Sequence, residues 1–242
     1  DFIINIKRDA PKGAHISAIN YVIKDSLDFE SFEIVESRNT YKPKLLLTPD
    51  IAICSSCKKE IHDELNKRFG YAFTTCTQCG PRFSIMQNVP YDRETTTMKS
   101  FAMCKSCDSE YGQVEDKRFY SQTNSCPDCG VALHWLSNEP AGVEPLLHLV
   151  RLLHAGKIVA VKGIGGFLLL VDAGNKKAIE RLRIKKMRPK KPLACLFHDV
   201  EQLRRFAFVS ELESTALQSA EAPIVLVKTK KKKPMLPSSM PV

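Results

Sequence analysis

Two sets of cysteines with identical spacing are the residues best equipped for chemistry in this chain. Cys54, Cys57, Cys76 and Cys79 spell C-x2-C-x18-C-x2-C, and Cys104, Cys107, Cys126 and Cys129 spell it again fifty residues later. A C-x2-C turn delivers two sulfurs to one ion, and Zn2+ takes four thiolates in a tetrahedron, so each set closes a structural site with no position left for a catalytic water. Two structural Zn2+ ions are therefore expected. Disulfides are the alternative for the same residues, and His62 or His134 could replace a ligand, but two complete four-cysteine sets argue against both.

A second group of residues suits an anion. Lys162 and Gly163-Ile164-Gly165-Gly166 lie between two apolar runs, where glycines let backbone amides approach a phosphate. Residues 176 to 191 then hold nine Lys or Arg against Glu180 alone, and Pro189 and Pro192 stiffen the string from Lys186 to Pro192. Like charges packed so densely need a counter-anion, and ATP phosphates would serve. Neither a Walker pattern nor a G-x-G-x-x-G fingerprint is present, so the glycine loop alone also fits a plain turn and the basic helix a solvated face. No residue is assigned a catalytic role. His148 and His154 fall on an amphipathic helix as surface or helix-end residues, and Asp172 could bind a hydroxyl or a cation or cap the next helix.

The elements that must position these residues are partly visible. Glu60/Glu110, Lys67/Lys117, Arg68/Arg118, Phe69/Phe119 and Gly80/Gly130 recur at equal offsets, which marks a duplicated module. The shared Lys-Arg-Phe is expected to pack an aromatic beneath each metal site, and the glycines to turn the chain around it. Arg82, Tyr91, Asp92 and Arg93 occupy a central loop too long to be only a spacer. Residues 15–25 and 31–37 read as two strands, which cannot form a core by themselves and look like the end of a domain cut upstream. From Glu144 onward the pattern is α/β: a helix from Pro145 to Gly156, strands in KIVAVKG and GFLLLVD, a helix in NKKAIERLRIKK, a buried strand in PLACLF, helices in VEQLRRFA and ELESTALQS, and a strand in APIVLVK. Cys195 is expected in the core.

Composition is that of an ordinary globular protein of 242 residues, long enough for two or more domains. Net charge is +9, carried by residues 176 to 191 and by Lys228 and Lys230 to Lys233, which leaves the remaining chain slightly negative. No membrane span and no signal peptide are visible, and the thiolates suit a reducing cytoplasm.

The string YAFTTCTQCGPRFSIMQNVPYDR from Tyr71 to Arg93, with Thr97-Met98, the second module's C-x2-C-x2-E-Y, KGIGGF and KMRPKKP, resembles the HypF-type hydrogenase maturation carbamoyltransferases along nearly the whole chain. The resemblance implies a multidomain α+β protein: residues 1–40 as the end of a ferredoxin-like acylphosphatase domain, 50–136 as a tandem four-cysteine zinc-finger module, and 143–242 as a truncated YrdC-like α/β domain. It further implies an enzyme that forms carbamoyl-adenylate from carbamoyl phosphate and ATP with Mg2+. The carbamoyl group then passes to the C-terminal cysteine of a maturation partner, on the way to NiFe-hydrogenase. On this reading Lys162, Lys186, Arg188 and Lys191 bind the nucleotide. Leu168 stands where the family writes His, and Lys185 where it writes Arg, which keeps the charge and loses the planar fork. The chain lacks the upstream phosphate loop and ends before the S-x-N segment, so it is expected to be a fragment inactive alone. A zinc-ribbon protein that binds double-stranded RNA is the competing reading, for which a steep salt dependence is the discriminator.

Overall fold

The computed structural model describes residues 2–10, 14, 16, 18–23, 25, 31, 48–136 and 144–230. The chain divides into two compact units, Asp1–Leu47 and Thr48–Val242.

In the first unit α1 (Phe2–Arg8) resolves the opening residues as a helix, with Lys7 and Arg8 in its last turn, where cations favour the helix dipole. The strand expected over residues 15–25 is not formed: residues 18–23 belong to no strand, and Tyr21, Val22 and Ile23 are exposed. Alternating apolar residues make a strand only when a partner accepts their backbone hydrogen bonds, and none does so here among the described residues. Residues 32–37, the second expected strand, lie outside the described set.

The second unit begins with the duplicated module. Each repeat opens with its first cysteine as the N-cap of a short helix, Cys54 before α2 (Ser55–His62) and Cys104 before α3 (Lys105–Gly112). The last turn of the first repeat is tied back to its start, because Ile51 and Gly80 exchange backbone hydrogen bonds at 3.0 and 2.8 Å. Gly80 sits at φ +98°, and a Cβ there would meet Thr75 Cγ2 at 2.5 Å, so only glycine closes this turn. Gly130, its counterpart, has a different reason: a Cβ would run into Tyr71 and Ser125. The central loop grips both repeats. Arg82 donates to Thr77 O at 2.9 Å and lies over the Tyr91 ring, while Arg93 donates to Gln122 O, Asn124 O and Phe101 O at 2.9, 3.0 and 2.6 Å.

The α/β part follows. Glu144 caps α4 (Pro145–His154) by accepting from the backbone of Leu146 and Leu147, with Pro145 at the first helical position. Its other end is a Schellman turn: Gly156, at φ +70°, donates to Leu153 O, and Lys157 to Leu152 O. The strands β1 (Val159–Lys162) and β2 (Phe167–Leu170) pair as an antiparallel hairpin, Lys162 opposite Phe167. Asn175 caps α5 (Lys176–Lys185), which buries Ala178, Ile179, Leu182 and Arg183. Asp172 does not cap the helix; it accepts from Gly174 N in the turn before it. The remaining elements are α6 (Val200–Arg204), β3 (Ala207–Phe208), α7 (Glu211–Leu217) and β4 (Lys228–Thr229), with β3 and β4 paired antiparallel.

Two expected strands are corrected here. PLACLF runs outside any strand, with Leu196 97% exposed and Cys195 exposed rather than core. APIVLVK enters a sheet only at Lys228, leaving Ile224 and Leu226 exposed. A buried strand needs neighbours along its edges and layers on its faces, and the sheets among the described residues are two-stranded.

The module and the α/β part meet through a backbone hydrogen bond and a ring contact. Ala52 N donates to Ala220 O at 2.8 Å, and the Trp135 ring meets His148 of α4 edge-on at 4.8 Å. Among the described residues no helix is long and apolar enough to cross a membrane.

Candidate metal centres and anion-binding loop

Each four-cysteine set converges: the sulfurs of Cys54, Cys57, Cys76 and Cys79, and those of Cys104, Cys107, Cys126 and Cys129, lie within 4.8 Å of one another. Cys54 and Cys76, Cys76 and Cys79, Cys104 and Cys126, and Cys126 and Cys129 are all separated by 3.8 Å. A tetrahedron with Zn–S bonds of about 2.3 Å has edges of about 3.8 Å, so the donor sets fit the ion. A disulfide would need about 2.05 Å, and none of the eight cysteines of the two sets forms one. Packing the sulfurs together also splits their proton affinities. Hydrogen bonds from Cys57 and Cys76 pull the Cys79 thiol down to about 3, while Cys57, hydrogen-bonded to the same cluster, is pushed up. His62 is not a ligand, since its Nδ1 lies 2.7 Å from Lys58 O of its own helix, and His134 belongs to neither sulfur cluster.

The two repeats are interlocked by cations that cross between them. Arg68 of the first repeat pairs with Glu110 of the second at 2.6 Å, and Lys67 with the same carboxylate at 2.7 Å. In return Arg118 pairs with Glu60, and Lys117 reaches Glu60 at 2.9 Å. Lys67 and Lys117 also donate to Ser106 and Ser56 of the opposite helices, at 2.7 and 2.8 Å. Arg68 is 1% and Arg118 2% exposed. Burial alone would raise the Glu110 carboxyl, but hydrogen bonds from Arg68 and Lys67 outweigh it and hold the group down to about 2. Glu60 is likewise held below the usual carboxylate range, Arg118 and Lys117 overcoming burial. The expected aromatic beneath each site is therefore corrected: Phe69 is exposed, and the buried member of each Lys-Arg-Phe is the arginine. Arginine can be buried here because its fork matches a carboxylate and its remaining N–H finds a carbonyl, Ser125 O for Arg68 and Thr75 O for Arg118, each at 2.9 Å.

In the α/β part, one buried arginine shapes the basic loop. Arg183 Nη1 donates to the carbonyls of Arg188, Pro189 and Lys191 at 3.1, 3.2 and 3.0 Å. With its carbonyls drawn inward, the loop keeps Lys190 and Lys191 exposed. Arg188 Nη2 donates to Pro192 O at 2.7 Å, and Lys186 closes the helix, its N–H bonded to Leu182 O at 2.9 Å. Lys186, Arg188 and Lys191 thus share one fastened turn. Lys162 stands elsewhere, on the hairpin, with Nζ 5.4 Å from the Phe167 ring centre, and among the described residues no hydrogen bond joins it to that turn. Its glycine loop is a hairpin closed by Gly163 N to Gly166 O at 2.8 Å. Lys231 to Lys233 lie outside the described residues. Arg183 was not singled out from sequence, where it is one cation among nine; its place on the apolar side of α5, beside Ile179 and Leu182 in helical periodicity, is the signal that marks it.

Two family models match. The HypF finger model matches residues 53–86 and 103–136, and the Sua5/YciO/YrdC model, described as telomere recombination, matches residues 151–241. The carbamoyltransferase HypF of Rhodobacter capsulatus is 43% identical over 233 residues, which cover 94% of this chain and 31% of that protein. The Synechocystis protein of the same name is 48% identical over 207 residues, covering 84% and 27%. The crystal structure of full-length HypF in its phosphate- and nucleotide-bound form superposes with TM-score 0.81 at 38% identity, covering 96% of this chain and 30% of that one. T. kodakarensis HypF gives 0.74 at 40% identity, covering 82% and 26%. The chain spans about three-tenths of the length of the curated relatives it matches.

Proposed function

Because this chain belongs to the HypF family, we propose that it is the zinc-scaffolded, nucleotide-binding stretch of a carbamoyltransferase that uses carbamoyl phosphate and ATP. In this reading water cleaves carbamoyl phosphate to carbamate and inorganic phosphate, and the carbamate oxygen attacks the α-phosphorus of ATP, giving carbamoyl-adenylate and pyrophosphate. The thiolate of a partner's C-terminal cysteine then attacks the carbamoyl carbon and AMP leaves. The observation that carries the reading is the turn holding Lys186, Arg188 and Lys191, fastened by Arg183 through three carbonyls. A turn prepared in this way meets a polyphosphate without first losing its own freedom. Mg2+ would accompany the ATP, and Lys162 would approach it from the hairpin. The relative crystallised with phosphate and nucleotide supports the ligand class. The two zinc ions take no part in the chemistry: the closed thiolate sets hold the module that carries the α/β part through Ala52 and Trp135.

Four cations of the finger module, Lys67, Arg68, Lys117 and Arg118, are engaged inward with Glu60 and Glu110 and so are not offered to a phosphate backbone, which weighs against the RNA reading. The test is calorimetric titration of the chain with Mg-ATP. Binding weakened at least tenfold by K186A or R188A supports the assignment, each lost charge-assisted contact being worth about 1.5–3 kcal/mol. Unchanged affinity in both variants would remove the loop from the site.

A further inference from the structure

Each four-cysteine set draws its counter-charge from the other repeat. Four thiolates around one divalent ion form a doubly negative centre, and a centre of that charge held away from water needs cations or N–H donors against its sulfurs. Arg68, of the first repeat, places Nη2 3.6 Å from Cys107 Sγ in the second centre, and Lys67 places Nζ 3.9 Å from the same sulfur. Arg118, of the second repeat, places Nη2 3.9 Å from Cys57 Sγ in the first. Cys57 and Cys107 have no exposed surface, so water does not serve these sulfurs.

We propose that Arg68 and Arg118 are crossed positioning residues of the two metal centres, each repeat setting the metal affinity of the other, so that the pair loads cooperatively. The physical link is short. Arg68 lies on the segment between the two ligand turns of the first centre, and Glu60 lies one turn beyond Cys57 on α2. Filling the first centre fixes both: it presents Arg68 to Cys107, and it offers Glu60 as the anchor for Arg118. Filling the second centre does the converse through Glu110 and Arg118. Whichever ion binds first prepares the donor and the anchor that the other centre uses, and this linkage is reciprocal.

The test uses the full chain loaded with 113Cd, whose resonance reports the thiolates of each centre; Cys76→Ser and Cys126→Ser assign the two signals. Arg68→Met is expected to move the resonance of the second centre and leave the first in place, although the substitution lies in the first repeat, and Arg118→Met to do the reverse. Chelator competition should show the affinity of the crossed centre falling about tenfold or more, and titration of the metal-free wild-type chain should be sigmoidal. Should either methionine variant fail to fold, Arg68→Lys and Arg118→Lys, which keep the charge and lose the fork, read the same crossing. A shift in the centre of the substituted repeat, shifts in both centres alike, no shift, or independent loading of the two sites would each overturn the proposal.

Discussion

Arg68 is the side chain whose loss should cost this molecule most. It donates to Ser125 O, Asn124 Oδ1 and both oxygens of Glu110 while almost wholly buried. R68A leaves buried Ser125 O and Asn124 Oδ1 without this donor and Glu110 with only Lys67 and Asn124. Breaking a buried pair from one side costs about 3–5 kcal/mol, so urea unfolding should report a loss of that size. K67A, whose side chain is one-third exposed, should cost less than about 1 kcal/mol. The same pairing sets a pH dependence. Glu110 is held at about 2 in the folded chain against 4.5 ordinarily, so its contribution is complete above about 4.5 and is lost as pH falls toward 2. E110Q should flatten that part of the decline in urea midpoints measured between pH 5 and pH 3, and an unchanged slope would deny the pairing. The recurrence of Lys67, Arg68 and Glu60 in both repeats is legible in the sequence; the crossing is not, because equal offsets permit pairing within a repeat as readily as between repeats. Asn124, buried against Arg68, stands where the first repeat has Thr74, so no periodicity marks it.

At the scale of elements, the glycine of each turn carries a different load. Gly70 has φ +67° and open space where a Cβ would stand, whereas Gly80 combines φ +98° with Thr75 at 2.5 Å. G70A should therefore cost only the left-handed penalty of about 1–2 kcal/mol, and G80A clearly more, in thermal or urea unfolding of the metal-loaded chain. Tyr120, at the position matching Gly70, shows that the penalty can be borne: it holds φ 53° while its ring packs tilted against Tyr111 and edge-on to Phe119, at 5.0 and 4.8 Å. The helices of the α/β part were legible because their ends are announced, α4 by Glu144-Pro145 and Gly156, α5 by Asn175, α7 by the capping box of Ser210 and Glu213. Strands were legible only where a turn supplied the partner, as Gly163 to Gly166 does for β1 and β2. PLACLF and most of APIVLVK carry the composition of buried strands, but composition does not name a neighbour, and here neither segment has one along its length.

For the molecule as a whole, the net charge of +9 belongs to two C-terminal stretches, residues 176 to 191 and Lys228 with Lys230 to Lys233, and not to the chain at large. Lys67, Arg68, Lys117 and Arg118 of the fingers are neutralised by carboxylates of the opposite repeat, while the cations of α5 and the turn after it face few acids, Glu180 being the acid of that helix. The division of labour follows: a metal-built frame whose buried charges pair across its two repeats, joined to an α/β part whose charges remain for an anion. Both halves of that statement are read at once by native mass spectrometry of the chain, first alone and then with Mg-ATP. The account predicts a mass equal to the polypeptide plus two zinc ions, and a further increment of one nucleotide that is absent in R188A. A chain that binds ATP with fewer than two zinc ions, or one that holds both ions and takes up no nucleotide, would contradict it.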